Sequence, residues 1–286
     1  MTTLDHKIDF AVVLSVTKAN PNGDPLNGNR PRQNYDGYGE ISDVALKRKI
    51  RNRLQDMGES IFVQSNDRKS DSFGSLRERA DANPELEKIL KAKSVSGDEF
   101  ALVACREWLD VRSFGQVFAF KGDKSGGVSV GIRGPVSIHP ATSLDPIDIS
   151  SIQITKSVNS EPGASRGSDT MGMKHRVDSG VYVFYGSINT QLAEKTGFTN
   201  DDAEKIKQAL VTLFENDASS ARPEGSMEVH KVYWWEHNSK LGQYSSAKVH
   251  RSLLVERLVE EPKAYEDYEF ALQPLEGLKV EIMDGR

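Results

Sequence analysis

The sequence predicts an α+β fold, and three observations carry that prediction. They are an alternating apolar strand at residues 8–17, an amphipathic helix at about 43–57, and a strand, helix, strand succession between residues 180 and 236. At 286 residues the chain can bury one good core, as a single elaborated domain or as a domain carrying large insertions.

In the first strand Ile8, Phe10, Val12, Leu14 and Val16 fall on one side at period two, as a half-buried strand requires. The turn formers Asn20-Pro-Asn-Gly-Asp-Pro25 end it, and a polar loop rich in Gly and Asn continues to about Glu40. Ser42 or Asp43 can then cap a helix reaching to about Met57. Leu46, Ile50, Leu54 and Met57 share its inward stripe. Lys47, Arg48 and Arg51 gather along one flank and Lys49 with Arg53 along the other, cations with no acid among them. Such a run is either a solvated face or a surface for phosphates.

From Gly58 to Leu109 the pattern is helical but interrupted, by a polar stretch at 65–72 and by Pro84, and reads as an inserted helical lobe. Its last helix, at about 98–109, turns Phe100, Ala101, Ala104, Cys105 and Trp108 inward. Strand signals return at Val111–Phe120, Val128–His139 and Gly180–Ile188. A second amphipathic helix at 200–215 buries Ala203, Ile206, Leu210, Leu213 and Phe214, and strands follow near 228–236, 249–259 and 278–283. This is the order of a ferredoxin-like or RRM-like αβ sandwich, with insertions after the first helix and between the middle strands.

Residues 148–177 stand apart. Two extended arms, one holding Ile149, Ile152 and Ile154 and the other running from Met171 to Val177, flank a tip rich in Gly, Pro and Ser, which predicts a hairpin projecting from the body. The arms carry Lys156, Lys174, His175 and Arg176 beside Met171 and Met173, whose adaptable side chains suit a wedge against a base or a neighbour. The alternative is that both methionines pack on the domain.

The net charge is −5, yet residues 255–286 alone hold nine acidic against four basic side chains. The rest is therefore balanced, and residues 29–53 are locally basic with seven cations against three acids. The lone Cys105 excludes an intrachain disulfide and reads as a small core residue. The six histidines show no metal-ligand spacing, and no Walker or Gly-x-Ser-x-Gly pattern occurs, so no cofactor or metal is expected. Tyr233, Trp234 and Trp235 read as core and interface residues. No apolar run approaches bilayer length and the first residues lack the marks of a secretory signal, so the expected location is the cytoplasm, with no membrane partner.

Four motifs in order resemble one family, the Cas-seven backbone subunits of the type I-C CRISPR effector complex (Cascade), within the RAMP superfamily. They are Asn20-Pro-Asn-Gly-Asp-Pro25, Ser42-Asp-Val-Ala-Leu-Lys-Arg-Lys-Ile-Arg-Asn52, Asp110-Val-Arg-Ser-Phe-Gly-Gln-Val117 and Met171-Gly-Met-Lys-His175. The resemblance implies an RRM-like palm at 1–57 and 110–286, a helical finger insertion at 58–109 and a protruding β-hairpin thumb at 148–177. It implies copies stacked head to tail along the spacer of a CRISPR guide RNA, beside other Cascade subunits, presenting the guide to target DNA. Carried over by position, Asn20 and Asn22 would lie in the loop beside the RNA, and Lys47, Arg48 and Arg51 would hold phosphates. Arg112 and Phe114 would adjoin the RNA-facing surface, and Lys156, Arg166, Met171, Met173, Lys174, His175 and Arg176 would belong to the thumb. For Arg112 an ordinary ion pair at a strand end is the competing reading.

Sequence-independent coating needs only cations along the backbone and apolar surfaces against bases, since base pairing reads the sequence. The expectation is therefore a structural RNA-binding protein and not an enzyme. The alternative is a metal-dependent ribonuclease using Asp24 or Asp36, as in related type III subunits, though Asp24 sits where a turn carboxylate serves local hydrogen bonding.

Overall fold

The computed structural model describes residues 2–92, 96–120, 128–156 and 171–286. The first strand, β1 (Ile8–Ala19), is followed by a two-residue ladder, β2 (Gly23–Asp24) with β3 (Arg30–Pro31), then by β4 (Tyr38–Ile41) and helix α1 (Asp43–Asp56). Helices α2 (Leu76–Asp81), α3 (Pro84–Lys91), α4 (Gly97–Glu107) and α5 (Leu109–Phe114) lead to β5 (Gly115–Phe120) and β6 (Val128–Arg133). Strands β7 (Val136–Ile138), β8 (Ala141–Pro146), β9 (Ile149–Thr155) and β10 (Met171–Ile188) precede α6 (Thr190–Thr196) and α7 (Asn200–Val211). The chain then runs through β11 (Met227–Glu236), α8 (Ser246–His250), β12 (Leu253–Arg257), β13 (Tyr268–Leu272) and β14 (Lys279–Asp284).

Among the described residues, one antiparallel sheet has the order β14-β11-β1-β10-β8-β4, with β7 and β9 also paired to β10. β1 lies inside it because both its faces are apolar. Phe10, Val12, Leu14 and Val16 pack against Leu46, Ile50 and Leu54 of α1 and against Ala203, Ile206 and Leu210 of α7. Ala11 and Val13 point the other way, into a second cluster with Tyr233, Trp235, Val249, Leu253 and Tyr268. The alternation predicted a half-buried strand. It is buried on both faces because α8 and the β12–β13 pair cover the side away from the helices.

Ser42 is the α1 cap, its hydroxyl accepting from Ala45 N, while Asp43 occupies the first turn. A third cluster draws Phe62, Ala80, Leu86, Phe100, Ala104, Cys105, Trp108 and Val111 together with Phe118 and Val130, so the apolar core of the helical segment extends past residue 109. Trp234 is fully buried and Tyr233 and Trp235 nearly so, as core residues.

Several sequence expectations are corrected. Val111–Phe114 is helical, not extended; the strand begins at Gly115, whose φ of +78° and close approach to the Ile132 carbonyl exclude a side chain. The strand expected over 128–139 is two, divided at Gly134-Pro135. The strand expected over 249–259 starts only at Leu253, after the short helix α8. β4, α6 and β13 were not foreseen.

Candidate nucleic-acid interface

The loop after β1 turns back onto the start of α1. Asn22 Oδ1 accepts from Ser42 N at 2.9 Å, and Asn20 Nδ2 donates to the Asn29 carbonyl at 2.7 Å. Asn20 is buried, its backbone N–H donating to the Ala221 carbonyl, and its Oδ1 has no hydrogen-bond partner among the described residues. The two asparagines thus hold the loop against α1 and the 219–222 turn, and between these elements lies a polar cleft of about 290 Å³. Asn22, Arg48, Lys49, Asn52, Arg68 and Arg222 line it.

The five cations of α1 all find acids from elsewhere in the chain or from the first turn, which overturns the expectation that they are unpaired. Lys47 bonds Asp43 at 3.1 Å, Arg48 reaches Asp67 at 3.4 Å, and Arg53 bonds Glu215 at 2.9 Å. Lys49 pairs with Asp217, and Arg51 with Asp110 at 2.9 Å. Burial ranks them. Lys49 is 5% exposed and Arg51 13%, whereas Arg48 is 46% exposed and its partner Asp67 77%. An exposed, long ion pair is worth little, so Arg48 can exchange Asp67 for a phosphate at small cost. Arg51 cannot do so as freely. Its guanidinium also lies over the Phe114 ring, 5.0 Å from the centroid, which places Phe114 beneath it.

Asp110 is fully buried, with one oxygen accepting from Phe62 N at 2.7 Å and the other from Val63 N at 3.1 Å as well as from Arg51. Arg112 makes a two-pronged pair with Asp202, at 3.0 and 2.8 Å, and Asp202 also caps α7 through Thr199 N. The ion-pair reading of Arg112 holds, but on a helix and not at a strand end. The segment Asp110–Phe114 therefore joins three elements of the body.

β9 and the first part of β10 form the hairpin arms, in register from Met171↔Thr155 to Val177↔Ile149. β10 is continuous through 18 residues, so one arm is a direct extension of a central strand. Met171 and Met173 are 56% and 54% exposed and do not pack on the domain. The period of two puts them on one face with His175, and Ile152 and Ile154 on the other with Lys174. His175 Nδ1 lies 2.8 Å from Ser151 Oγ, to which Arg30 donates, and Lys174 donates to the Ser220 carbonyl at 2.6 Å. The hairpin is thereby tied to β3, in the loop after β1, and to the 219–222 turn, two of the segments that flank the cleft. Arg176 has a buried Nε without a hydrogen-bond partner among the described residues, Lys156 is exposed, and Arg166 lies outside the described residues.

The sequence reading missed Arg30, Arg68 and Arg222. Arg68 and Arg222 sit in irregular segments where periodicity gives no signal and only the packing brings them beside α1, while Arg30, in the two-residue strand β3, is carried to Ser151 and His175 of the hairpin. Arg222 bonds Asp217 at 3.1 Å and so shares the carboxylate of Lys49. Burial, Asp217 and then Arg222 act on Lys49, and the net effect lowers its amine from 10.5 to about 8. With the folded value below the ordinary one, the unfolded chain binds more protons between about pH 8 and pH 10.5, and this contribution to stability rises with pH across that window. Urea unfolding near those two limits should show wild type gaining on Lys49→Met as pH rises; a constant difference would exclude the lowered amine. Among the described residues no three His, Cys, Asp or Glu side chains converge as a cation cage, and no helix is long and apolar enough to cross a membrane.

The family described as CRISPR-associated protein Cas7 matches this chain over residues 6–273. A curated CRISPR-associated protein Cas7 from Haloferax volcanii is 27% identical over 234 residues, spanning 77% of this chain and 67% of its own. Among solved structures, a chain of a "CRISPR RNA-guided surveillance complex, pre-nicking" aligns over 80% of this chain and 78% of its own, at 15% identity and a TM-score of 0.49. A chain of a "CRISPR RNA-guided surveillance complex" aligns over 80% and 68%, at 14% identity and 0.44.

Proposed function

The chain belongs to the CRISPR-associated protein Cas7 family, and from that premise we propose that it is the structural subunit that coats a CRISPR guide RNA in a type I-C Cascade complex. Copies follow one another head to tail along the spacer, beside other Cascade subunits, and leave bases free to pair with target DNA. The sheet with α1 and α7 on one face is the RRM-like palm, the helical segment with its own core is the finger, and the β9–β10 hairpin is the thumb.

One observation carries this reading: an exposed, methionine-bearing hairpin is hydrogen-bonded to β3 and to the 219–222 turn, segments that flank a cleft lined by Arg48, Arg68 and Arg222. Cations around the cleft hold phosphates of any sequence, and the projecting apolar arm displaces a base. The chain acts without catalysis. Asp24, one of the two candidate nuclease carboxylates with Asp36, accepts from Leu26 N and lies 3.5 Å from Arg32. Such local engagement suits a turn residue better than a metal ligand.

Native mass spectrometry of the chain, produced with a repeat-spacer transcript and partner subunits, tests the proposal. Several copies on one RNA are expected; a monomer that never accumulates on RNA overturns it. Divalent metal with RNA should yield no cleavage, and products lost in Asp24→Ala or Asp36→Ala would establish the nuclease instead.

A further inference from the structure

Lys49 lines the polar cleft beside α1, yet the coating role gives it no part. It is the most buried of the five α1 cations, and the Phe214 ring centroid lies 5.4 Å from its amine. A desolvated lysine with other cations close by is the form in which the amine serves as a nucleophile. Burial is the largest influence and holds this amine at about 8, so near that pH about half of it is unprotonated, whereas an ordinary lysine is almost wholly charged.

The groups around it suit an anion. One oxygen, Asp217 Oδ2, accepts from Lys49 Nζ and from Arg222 Nε, the latter at 3.1 Å, so the Arg222 guanidinium sits beside the amine. The terminal nitrogens of Arg222 have no hydrogen-bond partner among the described residues. Arg48, the preceding residue, reaches Asn52 at 3.3 Å and Asp67 at 3.4 Å, long and exposed bonds that it can exchange. In an acyl phosphate a single bridging oxygen separates the phosphate dianion from the carbonyl carbon. Arginines that hold the phosphate therefore bring that carbon to the amine.

We propose that Lys49 is a site of covalent acylation by acyl phosphates bound in this cleft. Lys49 Nζ attacks the carbonyl carbon, a nitrogen–carbon bond forms, and the bond from that carbon to the bridging oxygen breaks. The electron pair leaves on the oxygen, the proton shed by the amine goes to it, and inorganic phosphate departs. The product is a neutral amide, which cannot pair with Asp217 as a cation and leaves the cleft less positive toward any polyanion. The step needs only the cleft and stands apart from the RNA-coating role.

The test is to incubate the full chain with acetyl phosphate near pH 8 and to follow each lysine by peptide mass spectrometry. Lys49 should be acetylated at least about tenfold faster than the exposed Lys91 and Lys240. In Arg48→Gln with Arg222→Gln the reactivity of the amine itself also changes, so an uncharged donor, N-acetoxysuccinimide, serves as the reference. At Lys49 the ratio of the acetyl phosphate rate to the reference rate should fall about tenfold in that variant, and at Lys91 and Lys240 it should stay constant. Arg48→Gln alone, at an exposed side chain, should give part of that fall. The proposal is overturned if Lys49 reacts no faster than the exposed lysines, or if its ratio survives the substitutions.

Discussion

Asp110→Ala should destabilise the protein by about 3–5 kcal/mol, the cost of breaking a buried ion pair from one side. The carboxylate is fully buried and its oxygens are shared by two backbone N–H groups and Arg51, so its loss leaves three donors facing a cavity. Asp110→Asn should cost less, about 1–3 kcal/mol, because one oxygen survives while the new amide opposes a donor. Urea unfolding measures both. A loss under about 1 kcal/mol for alanine would mean that the joint between α1 and the Phe62 segment is held by apolar packing alone. The variant also frees Arg51, so any gain in RNA affinity per folded molecule would report a guanidinium released from structural duty.

Arg48→Gln combined with Arg222→Gln should lower affinity for single-stranded RNA by roughly 10–100-fold, with the fold intact. Both side chains line the cleft and both are at least partly exposed. If each holds one phosphate, the slope of log affinity against log salt should become shallower by about 1.4, roughly 0.7 for each phosphate no longer neutralised. Arg106→Gln, at an exposed pair with Glu85, is the control and should change neither quantity. An unchanged slope in the double variant would remove the cleft from the RNA path.

The strongly periodic elements were legible in the sequence. The alternation of Ile8–Val16, the stripe of Leu46, Ile50 and Leu54, and the inward set of the 200–215 helix all appear where local pattern puts them, since each is fixed by which face meets a core. β13 shows the same alternation, Tyr268, Phe270 and Leu272 against Glu269, but over only five residues in an acidic stretch, too short to stand out, and its pairing with β12 is what fixes it as a strand. Val111–Phe114 reads as a strand by propensity but is wound into a helix by Asp110 and Arg112, whose partners lie far along the chain. The site divides in the same way. The cations of α1 were visible, whereas their acids, Asp67, Asp110, Asp217 and Glu215, come from other segments, so which cations remain available to a ligand is a property of the tertiary structure.

The placement of β1 has a consequence for synthesis. Its two neighbours are Val177–Ile188 and Met227–Glu236, so the first strand made is flanked by strands that leave the ribosome much later. Until then Ile8–Val16 is an unpaired apolar ribbon, the kind of segment that recruits chaperones or aggregates. Translation that stalls between the helical segment and β10 should therefore yield insoluble nascent chains, whereas α1 and the Phe62–Val130 cluster can begin to condense early.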